Sequence, residues 1–376
     1  MRVLFWSDLF WPHVGGAEIF AAKLLWALRE RHEFIVVTRQ DTPDLPEEDS
    51  YRGIPVHRLP FFRALADGDV SWMIGLRRQV AVLKRSFAPE LIHVHNFGPS
   101  IFFHLETRES GRPPVLFTVQ SELWPHKNFG ADALLERTLR TADWVNCVSY
   151  DTLAQVHRRM VETVTRSSVI FNSVSLPTAL PQPLPTAPPR LVCPGRLHFQ
   201  KGFDLALTAL AAIIHRFPDI RLTVAGDGPE RLALERQANE LNLSGVVNFI
   251  GWVSPDKVPE LFDTATIILM PSRWEGFGLV ALEAGLMARP VIATRVGGIP
   301  EVVAHKETGL LVESENSEAL ADAIVFLLTH PDQAAQMGSA GRRRAEKLFS
   351  WERCVEAYDA LYQKLGNTYY IEQSSA

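Results

Sequence analysis

Cysteine is scarce in this sequence: three occur among 376 residues, at Cys147, Cys193 and Cys354. They lie far apart and each sits in an apolar segment, so their spacing fits neither a disulfide framework nor a metal site. We therefore expect buried, unreactive thiols and a reducing compartment.

Long hydrophobic runs and an excess of positive charge are also missing. No run approaches the ~20 apolar residues of a membrane-spanning helix, and the first seven residues reach Asp8 before they could form a signal peptide. The formal net charge of −5 argues against a general nucleic-acid-binding protein. We expect a cytoplasmic protein with no nucleic-acid partner.

The glycine fingerprint of dinucleotide-binding folds is absent as well. That fingerprint, Gly-x-Gly-x-x-Gly, should follow the first strand directly, where this chain carries only the pair Gly15 and Gly16. In the second half, Gly226-Asp-Gly228 lacks the third glycine because position 231 is Arg231. A nicotinamide-dependent oxidoreductase is therefore disfavoured.

Short apolar runs, most of them separated by amphipathic segments, are the main pattern that the chain contains. Continuous rather than alternating apolar strands between helices predict parallel sheets covered on both faces. The runs expected as strands are Val3 to Ser7, Phe34 to Thr38, Pro55 to Leu59, Leu91 to His95, Val115 to Val119, Trp144 to Val148, Val169 to Phe171, Arg190 to Cys193, Ile220 to Ala225, Val246 to Ile250, Thr266 to Met270, Pro290 to Thr294 and Gly309 to Val312. Apolar content of 47 % and charged content of 22 % are those of soluble globular domains, and the length allows two.

A proline-rich segment divides the chain. Residues 177–189 hold six prolines, so they can form neither a helix nor a central strand and should run extended. We predict an N-terminal domain over residues 1–176, this segment as the linker, and a second domain over residues 190–350.

Ligands of parallel α/β sheets bind beyond the carboxyl ends of the strands, and that rule selects a small set of residues in the first domain. The set comprises Asp8 to Gly16, His95-Asn96, Gln120-Ser121, Ser149 and Asn172. His93 and His95 alternate along one strand and so share a face. His95 is the better candidate for a site because it ends the strand.

Gly15 and Gly16 directly precede the first predicted helix, Ala17 to Arg31. One interpretation is a close backbone approach to a ligand at the helix start. The alternative is a loop that needs positive φ at one of the two glycines, with Glu18 as an acidic first-turn residue.

A basic and apolar segment also lies in the first domain. Its cations are Arg63, Arg77, Arg78, Lys84 and Arg85, mixed with Phe61, Phe62, Trp72, Met73, Ile74 and Leu76. Such a segment could rest on an anionic membrane surface, which would make the protein peripheral at the inner membrane face. The alternative is a helix with an apolar core face and snorkelling basic side chains.

The densest group of candidate residues lies in the second domain, within residues 271–283. A glycine-rich turn ending at Gly278 follows a predicted buried strand and precedes a segment of helical composition that begins at Leu279. Unpaired N–H groups and the helix dipole make such a helix start an anion site. Glu275 and Glu283 cannot bind phosphate, but their carboxylates suit the hydroxyls of a sugar or a ribose. An ordinary strand–loop–helix is the alternative.

Two cations, Arg196 and Lys201, lie in a glycine-bounded loop at the carboxyl end of the second domain's first strand. Facing a helix start at Gly278, they would hold a diphosphate from two sides. Alone they would be interpreted as solvated surface charges, but the glutamates of residues 271–283 favour the diphosphate site.

The C-terminal segment from Phe349 to Tyr362 is amphipathic. Its large apolar side chains recur at helical spacing, and we interpret this stripe as core packing. The polar tail after Gly366 is expected to fray.

With these motifs assembled, the chain resembles the family-4 retaining glycosyltransferases of the GT-B fold over almost its full length. The likeness rests on six motifs in this order: Gly15-Gly-Ala-Glu18, Gly195-Arg-Leu…Lys201-Gly202, Gly226-Asp-Gly-Pro229, Phe249-Ile-Gly251, Glu275-Gly-Phe-Gly-Leu…Glu283-Ala and Gly297-Gly-Ile-Pro-Glu301. The resemblance implies an α/β fold of two Rossmann-like, doubly wound parallel-sheet domains facing a cleft. It also implies a C-terminal helix, residues 351–366, that packs back onto the first domain.

The resemblance further implies roles for particular residues. The donor-binding positions are Gly16, Arg196, Lys201, Val253, Glu275, Phe277, Gly278, Leu279 and Glu283. Arg196 and Lys201 would bind the donor diphosphate, Glu275 the sugar hydroxyls and Glu283 the ribose, while the backbone around Val253 would read the base. Relatives of this kind need no metal or other cofactor, and no Asp-x-Asp lies at a predicted strand end.

Three positions depart from the family pattern. A histidine is common where this chain has Gln120, which can hydrogen-bond a sugar hydroxyl but cannot exchange a proton. Asn172-Ser173 replaces a more usual Asn-Gly, and Arg289 occupies a position where a small glycine is common. We interpret the last two departures as tolerated.

The expected activity is metal-independent transfer of a sugar from a nucleotide diphosphate-sugar to a hydroxyl of a glycan, lipid or small molecule, with the anomeric configuration retained. Arg196, Lys201, Glu275 and His95 form the expected catalytic set, and the acceptor is expected on the first domain near Gly15, His95, Gln120 and residues 123–127. A nucleotide-sugar epimerase or phosphorylase of related fold and a non-catalytic sugar-nucleotide-binding protein are the alternatives. The base, the sugar, the acceptor and the oligomeric state stay open.

Overall fold

The computed structural model describes residues 1–13, 15–40, 42–108, 111–123, 129–185 and 187–374. Two units divide the chain, Met1–Phe171 with Glu352–Ala376 as the first and Asn172–Trp351 as the second. Each unit contains its own sheet. Residues 177–185 and 187–189 lie in neither a helix nor a strand.

The first unit is built on the sheet order β3-β4-β2-β1-β5-β6-β7-β8. Its strands are β1 (Arg2–Ser7), β2 (Glu33–Arg39), β3 (Glu48–Tyr51), β4 (Ile54–Leu59), β5 (Leu91–His95), β6 (Val115–Val119), β7 (Trp144–Cys147) and β8 (Ser167–Val169). Its helices are α1 (Gly16–Leu28), α2 (Phe61–Asp67), α3 (Val70–Phe87), α4 (Ile101–Leu105), α5 (Phe129–Thr141) and α6 (Tyr150–Arg159), with a 3₁₀ helix at Val161–Arg166. The strand order reverses between β1 and β5, where Ser7 pairs with His95. Ligands of open α/β sheets bind at such a reversal.

Strand β3 corrects the expectation of a wholly parallel sheet. It pairs antiparallel with β4 at one edge, and its sequence, Glu-Asp-Ser-Tyr, alternates between exposed and half-buried positions. Because an edge strand packs against a single neighbour, it needs no apolar run, and the search for apolar runs missed it. Strand β8 also begins at Ser167, two residues before the predicted start.

The second unit has the sheet order β11-β10-β9-β12-β13-β14. Its strands are β9 (Arg190–Pro194), β10 (Arg221–Ala225), β11 (Val247–Gly251), β12 (Ile267–Met270), β13 (Val291–Thr294) and β14 (Gly309–Val312). Its helices are α7 (Phe203–Ile213), α8 (Arg231–Glu240), α9 (Val258–Asp263), α10 (Leu279–Leu286), α11 (Ile299–Val302), α12 (Ser317–Thr329) and α13 (Pro331–Leu348). All neighbouring strands are parallel, and the order reverses between β9 and β12.

The apolar runs in the middle of each sheet are buried as predicted, whereas β4 alternates between buried and more exposed residues and β11, at a sheet edge, has no buried residue. All four residues of β12 and all four of β13 are buried, as are all five of β5 and β6. Burying one such Val, Ile or Leu side chain contributes about 1.5–3 kcal/mol, which explains why these strands could be located from hydrophobicity.

Two glycines of the Gly226-Asp-Gly228 motif are required by backbone packing. A Cβ on Gly226 would lie 1.8 Å from the Gly195 carbonyl oxygen, and one on Gly228 would lie 2.4 Å from that of Leu197. The Gly195 N–H donates to Ala225 O at 2.9 Å. The two glycines therefore allow the loop after β10 to pack against the loop after β9.

Helix α14 (Trp351–Ser374) follows the second unit in sequence but packs within the first. Tyr362 Oη lies 2.6 Å from His93 Nδ1, and Asn146 Nδ2 donates to Tyr358 Oη at 3.1 Å. The aromatic stripe is therefore core packing, as predicted. The helix continues to Ser374, eight residues beyond its predicted end at residue 366.

The three thiols are free and buried. Burial raises the pKa of Cys147 and of Cys354 to about 12, and it raises the pKa of Cys193 further. Because the thiolate is the reactive form, these cysteines are unreactive near neutral pH.

No helix within the described ranges is long and apolar enough to span a bilayer. In the basic segment, α3 buries Leu76 and Val80 on one face. Val70 and Val82 on the same helix are 62 % and 56 % exposed. The core-facing helix is therefore observed, and contact with a membrane surface stays a prediction.

Candidate functional site

Two loops of the second unit meet where its strand order reverses. Because β9 and β12 are parallel neighbours, the loop after β9 and the loop after β12 leave the same edge of the sheet. The Arg273 N–H donates to Gln200 O at 2.7 Å, and Gln200 Nε2 donates to Trp274 O at 3.0 Å. These hydrogen bonds hold the two predicted site loops against each other.

Gly202 allows the loops to approach this closely. Its φ is +65°, and a Cβ at this position would lie 2.0 Å from the Pro271 carbonyl oxygen. Both the left-handed conformation and the lack of space favour glycine. The glycine that bounds the Lys201 loop is thus explained by packing against the start of the neighbouring loop.

Arg273 ties the loops together through its side chain, and sequence reasoning missed it. Its guanidinium donates to both carboxylate oxygens of Asp204 at 2.8 and 2.7 Å and lies 2.5 Å from Glu315 Oε1. It also stacks 3.9 Å from the centre of the Phe199 ring. The hydrogen bonds that Arg273 donates to these carboxylates, the one to Asp204 first, raise its pKa. The sequence did contain one signal for Arg273, because it is a charged residue within residues 271–283, the densest group of candidate site residues.

Lys201 and Glu275 form an ion pair, with Lys201 Nζ 2.5 Å from Glu275 Oε2. Their side chains are 21 % and 15 % exposed, and Ser272 Oγ lies 3.4 Å from the same carboxylate oxygen. The sequence assigned the two residues to different parts of a ligand, and the structure brings them into direct contact. Opposite charges attract more strongly in a partly buried site than in water.

Arg196 lies in the same loop as Lys201 but in a different environment. It is exposed, and its guanidinium makes neither a hydrogen bond nor an ion pair with any residue that the structure describes. In this loop, therefore, Lys201 pairs with a carboxylate and Arg196 is exposed to solvent.

The glycine turn before α10 has the predicted form. Gly278 has φ +105° and caps the helix that begins at Leu279. Phe277 is buried and packs edge-on against Phe349 at 5.5 Å, while Glu275 O accepts a hydrogen bond from the Gly298 N–H at 3.2 Å. The first N–H groups of a helix have no intrahelical partner, so this end of α10 can bind an anion beside the Lys201–Glu275 pair.

Two other predicted donor positions belong to the same unit. Glu283 is half-buried one turn into α10. Val253 is half-buried and follows β11, which lies two strands from β9. At about 4.8 Å between neighbouring strands, that separation is roughly 10 Å, enough to span part of a nucleotide.

Gly16, His95 and Gln120 belong to the first unit. Gly16 begins α1 after Gly15, whose φ of −139° is extended, so the alternative that required positive φ at these glycines is wrong. Glu18 is in the first turn, as predicted, and a Cβ on Gly15 would lie 2.1 Å from its carboxylate.

His93 and His95 lie on one face of β5 with ring centres 5.6 Å apart, as the alternation predicted. His95 is 1 % exposed, lies 6.1 Å from the stacked ring of Phe20 and approaches Ala17 O with Nε2 at 3.3 Å. Burial lowers the pKa of His95 to about 4. The imidazole is therefore neutral at pH 7 and lies beneath α1, and its catalytic role stays a prediction.

Polar groups surround the ends of β1, β5 and β6. Gln120 is 8 % exposed, and Ser121 Oγ lies 3.4 Å from Asn96 Oδ1. Asp8 accepts from the Ser100 N–H at 3.1 Å and from Arg39 at 3.3 Å. Arg39 was missed from sequence, because it ends a strand whose apolar run gave no sign of a site. Residues 124–127 of the expected acceptor region lie outside the described residues.

Arg289 is more than a tolerated departure from the family pattern. It is 1 % exposed and donates to Phe262 O, to Gln182 O, and to the carbonyl and carboxylate of Asp263. This side chain joins the proline-rich segment to the end of α9. Ser173 also has a specific contact, because its hydroxyl donates to Phe349 O.

The sequence matches two described families. Residues 14–176 match Glycosyltransferase Family 4, and residues 181–344 match Glycosyl transferases group 1. Together the matches account for most of both units.

Three similar proteins can be compared with this chain over almost its full length. An uncharacterized glycosyltransferase of Methanocaldococcus jannaschii is 27 % identical over 387 residues, covering 98 % of this chain and 99 % of its own. Sucrose-phosphate synthase from Thermosynechococcus elongatus superposes with a TM-score of 0.85 at 24 % identity, covering 98 % of this chain and 100 % of its own. Anabaena HepE in complex with UDP and glucose gives a TM-score of 0.79 at 21 % identity, covering 96 % and 99 %. At these identities the structural likeness shows the fold, and the GT-B prediction of two parallel-sheet α/β domains is confirmed.

Proposed function

We propose that this chain, which belongs to the group 1 glycosyltransferases of family 4, transfers a sugar from a nucleotide diphosphate-sugar to an acceptor hydroxyl with retention of the anomeric configuration. The observation that carries the proposal is the Lys201–Glu275 pair beside the start of α10. It places a cation and a carboxylate in contact beside the start of a helix, at the reversal of strand order. The solved HepE structure, which holds UDP and glucose, supports a ligand of this class.

The diphosphate of the donor would lie between Arg196, Lys201 and the N-terminus of α10. Arg196 is free to approach a phosphate oxygen, since no described residue pairs with it. As the donor enters, Lys201 would turn from Glu275 to the diphosphate, and Glu275 would accept hydrogen bonds from the sugar hydroxyls. Glu283, one turn further into α10, would accept from the ribose hydroxyls, and the backbone near Val253 would contact the base.

In the proposed step the bond between the anomeric carbon and the diphosphate oxygen breaks, and a bond from the acceptor oxygen to that carbon forms on the same face. The acceptor proton passes to the departing phosphate oxygen. Because the electron pair of the broken bond stays on the diphosphate oxygen, negative charge grows on the diphosphate. Arg196, Lys201 and the helix N-terminus would stabilise that charge. Preorganised donors of this kind are worth about 10²–10³ in rate. Gly16 would complete the donor site, and the acceptor would bind on the first unit near Gly15, His95 and Gln120.

A donor screen tests this function. Purified protein is incubated with UDP, GDP, ADP and their sugars, and the melting temperature is recorded, because ligand binding raises apparent stability by mass action. The donor that raises the melting temperature most is then supplied with candidate acceptors, and product anomers are assigned by NMR. Binding of a donor followed by an inverted product would overturn retention and leave the donor site standing.

The same assay separates the other functions. An epimerase or phosphorylase turns over without an acceptor alcohol, and a non-catalytic binding protein releases no free nucleotide even on long incubation. Repeating the assay in excess EDTA examines the proposed independence from metal. We expect activity within twofold of the untreated enzyme, because Arg196 and Lys201 supply the positive charge.

A further inference from the structure

The outer face of helix α3 exposes large aliphatic side chains to solvent. They belong to Val70, Ile74 and Val82, which are 62 %, 42 % and 56 % exposed, although valine and isoleucine are usually buried. The three positions are multiples of four residues apart and so lie on one side of the helix, whereas Leu76 and Val80 are buried on the other side. The helix rises about 18 Å between the first and last of the three, so they form a stripe along most of its length.

The same face carries positive charge. Arg78 lies on the aliphatic stripe, one turn from Ile74 and one turn from Val82. It is exposed, and its guanidinium makes neither a hydrogen bond nor an ion pair with any residue that the structure describes. Arg85 is also exposed, one turn beyond Val82. The sequence of α3 contains neither aspartate nor glutamate, so no residue of the helix itself neutralises Arg78.

Carboxylates in the neighbouring segments lie at the start and along one edge of this face. Asp67 and Asp69 precede the helix, and the Asp69 carboxylate caps it by accepting from two backbone N–H groups at 2.8 and 3.1 Å. Glu106 lies 3.5 Å from Arg77 and pairs with it. These contacts leave the charge of Arg78 in the middle of the stripe without a counter-charge.

We propose that the outer face of α3 binds an anionic lipid surface, where its aliphatic side chains enter the boundary between headgroups and acyl chains and its arginines contact lipid phosphates. Aliphatic and cationic side chains on one helix face are typical of helices that lie in the plane of a bilayer surface. Charge complementarity selects an anionic surface, because the net charge of −5 repels the chain as a whole and only a basic face is attracted.

A second copy of this chain fits the face less well than a lipid surface does. A symmetric contact between two copies would place the same patch on both sides of the interface. The arginines of the two helices would then face each other, and like charges across an interface are unfavourable.

Sedimentation of the full chain with vesicles tests the proposal and requires no sugar transfer, so its outcome is independent of the proposed function. One set of vesicles is an equal mixture of phosphatidylcholine and phosphatidylglycerol, and the other is phosphatidylcholine alone. We expect at least about tenfold tighter binding to the mixed vesicles. That binding should weaken as sodium chloride is added, because salt screens the attraction between arginine and phosphate. Equal binding to both kinds of vesicle, or binding to neither, overturns the proposal.

Two substitutions on the face are compared with two matched substitutions on α8. Ile74→Ser and Arg78→Gln should each weaken binding to the mixed vesicles about fivefold, since each removes one apolar or one cationic contact. Leu232→Ser and Arg236→Gln, at exposed positions of α8, should leave it unchanged. Leu232 is 73 % exposed, more than Ile74, so equal or greater weakening by Leu232→Ser would indicate unspecific adsorption and overturn the proposal. Circular dichroism verifies that each variant is folded.

A fluorophore attached to the face locates the contact directly. Val82→Cys and Leu232→Cys each add one exposed thiol, whereas the three native thiols are buried and unreactive near neutral pH. A polarity-sensitive fluorophore on residue 82 should shift its emission to the blue when mixed vesicles are added, and one on residue 232 should not. Equal shifts at the two positions, or no shift at residue 82, contradict the proposed orientation.

Analytical ultracentrifugation without vesicles examines the second copy as the alternative occupant. We expect wild type and Ile74→Ser to have the same molecular mass in solution. If Ile74→Ser dissociates an oligomer of the wild-type chain and leaves vesicle binding unchanged, the face joins copies of the chain and the proposal is wrong.

Discussion

Lys201 Nζ and Glu275 Oε2 lie 2.5 Å apart although 74 residues separate them in the chain. The contact forms because β9 and β12 are parallel neighbours, so their following loops share one edge of the sheet. Neither residue is fully buried, at 21 % and 15 % exposure. The pair is therefore accessible to a ligand that could replace one partner with its own charge or hydroxyl groups.

The proposed leaving-group role predicts a loss of kcat in Arg196→Ala and in Lys201→Ala. We expect each to fall about 10²-fold, since each removes a donor from a developing negative charge. Steady-state kinetics with the donor identified by the screen provide the measurement. Lys257→Ala is the control, because Lys257 is an exposed lysine paired with Glu260 at 2.9 Å. A kcat within tenfold of wild type in both site variants would remove the role.

Arg273 is proposed as a positioning residue for the Lys201–Glu275 pair. Arg273→Gln should destabilise the second unit by about 1.5–3 kcal/mol, because hydrogen bonds to charged partners are lost. It should also lower kcat more than it raises KM, since the two loops lose their alignment. Urea unfolding and steady-state kinetics measure both effects, and Arg236→Gln at an exposed position is the control. Lower stability with unchanged kinetics would limit Arg273 to a structural role.

Alanine substitutions at two glycines with positive φ distinguish the effect of backbone strain on stability from the effect of missing space for a side chain. Gly202 and Gly245 both have positive φ, +65° and +81°, but a Cβ would lie 2.0 Å from Pro271 O in the first and meet nothing within 4 Å in the second. Gly245→Ala should cost about 1–2 kcal/mol from conformation alone. Gly202→Ala should cost clearly more, because the backbone of one loop must move. Urea unfolding measures the free energy of unfolding of both variants. An equal loss of stability in the two variants would contradict the close contact between Gly202 and Pro271.

The stability of the first unit should fall with decreasing pH. Burial lowers the pKa of His95 from 6.5 in the unfolded chain to about 4. Its contribution is therefore fully present above pH 6.5 and is lost as the pH falls from 6.5 toward 4, where protonation favours the unfolded chain. The difference corresponds to about 3 kcal/mol at most.

Urea unfolding at pH 7, 6, 5 and 4.5 measures this dependence. His95→Gln should be less sensitive to pH than wild type between 6.5 and 4.5, whereas His215→Gln, at an exposed position of the second unit, should match wild type. If the free energy of unfolding changes with pH identically in wild type and in His95→Gln, then His95 has the same pKa in the folded and unfolded chains and the prediction is wrong.

Much of the fold was predictable from hydrophobic pattern. The limits of β5, β6 and β14 were predicted to the residue, because buried strands between helices are continuous apolar runs. The same reasoning missed β3, whose Glu-Asp-Ser-Tyr sequence lies at a sheet edge, and it ended α14 too early. An edge strand or the last turns of a helix need little apolar surface, so hydrophobicity does not mark them.

The site was predictable as a set of loops and much less as a set of contacts. Glycines and charged residues after strands indicated the loops that carry Arg196, Lys201 and Glu275. Arg273 was missed although it lies two residues from Glu275, because nothing in its local sequence names Asp204 and Glu315 as partners. Arg289 was interpreted as a tolerated change for the same reason.

The sequence by itself determined where the buried strands lie, which loops follow them and where glycine permits a sharp turn, since these depend on local hydrophobicity and backbone freedom. Only the tertiary structure decided that Lys201 pairs with Glu275, that Arg273 joins their loops and that His95 is buried beneath α1. Those outcomes depend on which strands are neighbours and on how far each side chain reaches, and both are set by packing between segments distant in the chain.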